Sequence, residues 1–124
     1  MKIKLKLTRS QYKGIATIVQ NCCSALAGTT LEEVQYRDAL MSLMLKMAAR
    51  VPTLREKGNS LTLGEVGSLA LWRTVNDLVQ RFQPFEMSVG YWLLGEIDRQ
   101  RMAYVSLMRA NCVPAEGVMV QQNY

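Results

Sequence analysis

Apolar and polar residues alternate strictly through Ile3-Lys4-Leu5-Lys6-Leu7, and after Thr8 the apolar spacing changes to three and four. The period of two predicts a strand with one buried and one wet face, whereas the later spacing predicts helix. Thr8 and Gln11 have the form of a capping box, in which a hydroxyl accepts from a backbone N–H and an amide reaches back. Ile15, Ile18, Val19, Cys22 and Leu26 then recur on one side, and Gly28 offers a left-handed stop, so a first helix is expected over about residues 9–27.

Thr30 and Glu33 repeat the box ahead of a second helix, about 31–50. Tyr36, Leu40, Leu43 and Met47 form one apolar stripe and Val34, Met41, Leu45 and Ala48 a second, which predicts a central helix touching neighbours on more than one face. Val51-Pro52 closes it, because the residue before proline is pushed out of helical geometry. Residues 52–60 read as an exposed loop. Thr62 and Glu65 suggest a third box and a helix over about 63–82, although Leu61-Thr62-Leu63 also suits a short strand pairing with the N-terminal one. Pro84 fits the first position of a fourth helix, with Glu86 complementing its dipole. Val89, Leu93, Ile97, Tyr104 and Met108 mark its inward side, and its end is expected near Asn111, just before Pro114. Gly64, Gly67, Gly90 and Gly95 are expected to let helices 3 and 4 approach closely. Residues 117–124 are either a disordered tail or, through Val118-Met119-Val120, a second strand. The fold class is therefore mainly α: one domain over residues 1–124, four helices in a compact bundle-like array, and a basic strand or arm at residues 1–8.

Charge changes this picture at one place. The net charge of +5 resides wholly in the first thirteen residues, where Lys2, Lys4, Lys6, Arg9 and Lys13 meet no acid; the rest of the chain balances ten bases with ten acids. A strongly basic segment can be a protected edge strand, its lysines discouraging promiscuous pairing, or a contact for phosphates. A strand also needs a backbone partner, and Leu61–Leu63, Val118–Val120 or the same arm of a second subunit would serve. No helix-turn-helix, RNP or zinc-finger pattern accompanies the arm.

The chain has no histidine, which excludes in cis the Ser-His-Asp and Cys-His triads, the two-histidine zinc helix and the Glu-x-x-His di-iron bundle. Cys22, Cys23 and Cys112 are an odd number with two adjacent, the pattern of reduced thiols in a cytoplasmic protein and not of a disulfide framework or zinc motif. Residues 14–31 lack charge but carry too many Thr, Asn, Gln and Ser to span lipid. No secretory signal is expected, because Lys4 and Lys6 interrupt the early apolar stretch. Glu33–Arg37, Asp77–Arg81, Glu96–Arg99 and Asp98–Arg101 stand at helical ion-pair spacings and mark solvated faces. Trp72, Tyr91 and Trp92 are core area with a polar edge, or an interface or pocket.

These features point to a small, non-enzymatic interaction or assembly protein without cofactor or metal, self-associating through the fourth helix and the arm. The alternative is a nucleic-acid-associated accessory protein using Lys2, Lys4, Lys6, Arg9 and Lys13. A bundle that binds a small molecule beside Trp72 or Trp92 is a third expectation.

Overall fold

The computed structural model describes the backbone of residues 1–120 and the side chains of residues 1–110. It is mainly α: β1 (Ile3–Leu7), α1 (Arg9–Ala25), α2 (Leu31–Arg50), β2 (Asn59–Leu63), α3 (Glu65–Leu78) and α4 (Pro84–Val120), with 3-10 turns at Val51–Thr53 and Val79–Arg81. The two strands pair antiparallel, Ile3 opposite Leu63 and Leu7 opposite Asn59. Of the three partners the sequence allowed for the arm, Leu61–Leu63 is the one used. Because Leu61-Thr62-Leu63 belongs to this ladder, Thr62 caps no helix; Gly64 occupies the N-cap of α3 without a side-chain bond.

Strand alternation sorts the sheet as its pattern demands. Ile3, Leu5 and Leu7 face the core with Leu61 and Leu63, while Lys4 and Lys6 face solvent. Asn59, 1 % exposed, anchors the start of β2: its amide nitrogen donates to the carbonyls of Leu7 (3.2 Å) and Arg55 (2.7 Å), and its oxygen accepts from Arg55 N–H.

The core gathers Tyr12, Ile15, Ile18 and Cys22 of α1, Leu40 and Met47 of α2, Leu71 and Val75 of α3, and Leu93 and Ile97 of α4. α1 and α3 touch each other and both remaining helices, so α2 and α4 flank them. The expectation of a central α2 is thus corrected. It buries the Tyr36–Leu40–Leu43–Met47 stripe and leaves Met41 and Leu45 of the second stripe exposed, while α1 holds the middle place.

The termini differ from expectation in instructive ways. The Thr8–Gln11 box forms in full. At α2 only half forms: Thr30 accepts from Glu33 N–H, but the Glu33 carboxylate binds the N–H and hydroxyl of Thr29 instead. α1 stops at Ala25, two residues short, and Arg37 donates to the carbonyls of Leu26 and Ala27. Gly28, at φ +75°, turns the linker beside that guanidinium. α4 runs past both Asn111 and Pro114. Its helical run includes Val118–Val120, so that segment is not a strand, and the rest of the expected tail, residues 121–124, lies outside the described residues.

Candidate interaction surfaces

Two surfaces emerge, one basic and one apolar. The basic one begins with the outer sheet face, where Lys4 and Lys6 project beside exposed Ser60. Lys2 and Lys13 are exposed too. Arg9 does not join a free row: its guanidinium binds the Glu56 carboxylate at 3.2 Å and the Leu54 carbonyl at 3.1 Å, fastening the start of α1 to the loop before β2.

The sheet edges are occupied by side chains. The Gln100 amide of α4 accepts from Lys4 N–H at 2.9 Å and donates to the Lys4 carbonyl at 2.8 Å, as a neighbouring strand would. Its second N–H reaches the Glu96 carboxylate at 2.8 Å, and Glu96 also binds Arg99. The Arg99 guanidinium and the Gln100 amide together hold the Glu96 carboxyl below its ordinary value. On the opposite strand, Arg50 donates to the Ser60 carbonyl at 2.6 Å. An edge already bonded in this way offers less backbone to a foreign strand. The sequence offered no sign of this role for Gln100, which sits among charges that read as a solvated face. Of the four ion pairs expected from helical spacing, only Glu96–Arg99 forms; Arg73 pairs with Glu32 across helices instead.

The apolar surface is on α4. Val89, Leu93 and Ile97 are buried against the body. From Met102 onward every described side chain is exposed: Met102, Tyr104, Val105, Leu107 and Met108 are between 40 and 65 % accessible. Tyr104 and Met108, read from the sequence as inward, continue the Val89–Leu93–Ile97 stripe, but Tyr104 borders only an open groove against α3 and Met108, one turn further, is 43 % exposed. The signal that was available is charge: residues 102–110 contain one charged side chain, Arg109. Residues 102–120 make an overhang of about 28 Å at 1.5 Å per residue.

The aromatic candidates divide. Trp72 packs half-buried against the core with its Nε1 unpaired, whereas Tyr91 and Trp92 stand 49 and 38 % exposed on the outer face of α4. Gly95, one turn further, has open space where a Cβ would sit, as do Gly64 and Gly67. Of the four glycines, only at Gly90 is that space filled, where a Cβ would lie 3.0 Å from the Val79 side chain; at Gly14, in α1, a Cβ would lie 2.9 Å from the Phe85 ring.

Three grooves among the described residues have no tryptophan in their lining. The first, about 290 Å³, lies between the end of α1, the start of α2 and α3, and is walled by Glu32, Glu33, Tyr36, Arg73 and Asp77. The second lies among α2, β2 and α3. The third, about 270 Å³, is at the root of the overhang between Leu69, Arg101, Tyr104 and Val105. No cluster of three His, Cys, Asp or Glu among the described residues could hold a metal ion. Burial, with Cys23 alongside, pushes the Cys22 thiol up to about 12, so it stays protonated and unreactive. No helix among the described residues is long and apolar enough to cross a membrane. Compared with protein-family models, curated proteins and solved structures, the chain matches none.

Proposed function

We propose that the protein is a non-enzymatic interaction or assembly protein that self-associates through α4. The observation that carries this reading is the overhang: a helix that runs on past the body with five large apolar side chains in water, Tyr104 and Met108 on its inward stripe and Met102 and Val105 on its outer side. Exposed apolar surface gathered on one regular element marks an association site. The missing histidine supports the non-enzymatic half of the reading. Sedimentation of the full chain across a concentration series tests it. A dimer or higher oligomer forming at micromolar concentration is expected, and a strict monomer at high micromolar concentration overturns it.

A second reading rests on Lys4 and Lys6, on the wet face of β1, and on exposed Lys2 just before it. As phosphate contacts they would support a nucleic-acid-associated accessory role. Three such contacts predict a log–log salt slope of about −2.7 on duplex DNA. Changing Lys2, Lys4 and Lys6 to Gln is expected to abolish salt-sensitive retention and leave the fold intact. No retention of the unaltered protein at low salt ends this reading.

A further inference from the structure

The outer face of α4 is self-complementary, and we infer that a second copy of this chain docks on it antiparallel, about a two-fold axis beside Asp98 and Arg99. This deepens the self-association reading and rests on it. Trp92, Gly95, Asp98, Arg99 and Met102 recur at spacings of three and four on the side of the helix away from Val89, Leu93 and Ile97, and Val105 continues the row at its edge, where it also borders the groove against Leu69. Gly95 is an open notch in this face, and Met102, 65 % exposed, is its most prominent knob.

The placement of these features decides the geometry. Gly95 lies as far before the midpoint of Asp98 and Arg99 as Met102 lies after it. An axis through that midpoint therefore sets each Met102 into the other copy's Gly95 notch. By the same counting each Trp92 meets the other copy's Val105, and each Asp98 meets the other copy's Arg99. Asp98 has no ion-pair partner within the chain among the described residues, and Arg99, held by Glu96 but 66 % exposed, is shared between that carboxylate and the Asp98 of the second copy. The buried Val89–Leu93–Ile97 stripe of each α4 faces away from the seam, which puts the two bodies on opposite sides of the helix pair. The beginning of each overhang then lies along the body-packed half of its partner's α4. Contact from Ser88 to Arg109 is about 33 Å long. Such a seam covers on the order of 700 Å² per protomer, close to the about 800 Å² per partner of a standard interface.

The test is sedimentation equilibrium of the full chain and of Gly95→Leu, Met102→Glu, Asp98→Arg, Arg99→Asp and the Asp98→Arg/Arg99→Asp double variant, each checked for native helical circular dichroism. All these positions are exposed, and because Arg99→Asp also removes the partner of Glu96, the circular dichroism and thermal midpoint of each variant are its control for the fold. Each single variant is expected to weaken the dimer by about tenfold or more, as loss of a central contact does. The double variant restores it, because the exchanged charges meet again across the axis. A dimer that is indifferent to Gly95→Leu and Met102→Glu but lost in Leu107→Glu overturns this seam while sparing self-association. A full-length monomer overturns both.

Discussion

At the scale of single residues, glycines separate local preference from packing. Gly67 and Gly90 both stand in helices, but Gly67 has nothing within 4 Å of a Cβ while Gly90 faces buried Val79 at 3.0 Å. Gly67→Ala is therefore expected to raise stability by up to about 1 kcal/mol through helix propensity. Gly90→Ala forfeits that gain, because β-branched Val79 has little rotamer freedom with which to yield. Gly28→Ala is expected to destabilise by about 1–2 kcal/mol, since φ +75° suits glycine and the Arg37 guanidinium fills the space at 2.9 Å. Urea unfolding of the three variants ranks them, and a stabilising Gly28→Ala would contradict the assignment. The same contrast shows why the sequence misled: four glycines in helices read alike, and only the neighbours supplied by the fold distinguish them. Asn59 illustrates the converse. A polar residue in a Gly-Asn-Ser run reads as an exposed turn, yet its amide is the buried tie between β2 and Leu7.

At the scale of elements, periodicity carried most of the architecture. The strand, the four helices and the starts of α1, α2 and α4 were legible because each has an apolar stripe and a cap or proline at its entrance. Leu61-Thr62-Leu63 was ambiguous because three residues fit a strand and a helix entrance equally; long-range pairing with β1 decides it. The Gln100 bracket on Lys4 was invisible for the same reason, since it joins residues 96 apart in sequence. Gln100→Ala is expected to leave the fold and cost about 1 kcal/mol. Its specific signature is faster hydrogen exchange at the Lys4 amide; unchanged exchange there would remove the edge-bracket role. Glu96, which orients that amide, gives the bracket an acid limit. Its folded value lies below the ordinary 4.5, so its contribution is fully present above about pH 4.5 and fades as pH falls through the lower folded value. Glu96→Gln should therefore flatten the fall in stability on the acid side of pH 4.5, measured by denaturant unfolding at a series of pH values. An unchanged acid slope would show that Glu96 is not coupled to folding.

At the scale of the whole molecule, the decisive feature is that the body ends before its longest helix does. The reading of α4 from its apolar stripe was right about the stripe and wrong about what covers it, because periodicity reports which side of a helix is apolar and not how far its neighbours extend. α2 shows the same limit, its second stripe facing water beside a body complete without it. The described overhang residues are all exposed, so a chain ended at Arg101 keeps the buried core intact. Its thermal midpoint is expected to be independent of protein concentration. The full chain, if association is coupled to folding, must instead gain stability as concentration rises, by mass action. Over a hundredfold range of concentration a folded dimer raises its own stability by about 2.7 kcal/mol, which corresponds to several degrees for a domain of this size. Parallel thermal scans of the two chains measure this difference directly. A full chain whose midpoint stays fixed while the shortened chain unfolds earlier would mean that the overhang stabilises its own body, against the exposure seen at Met102, Leu107 and Met108.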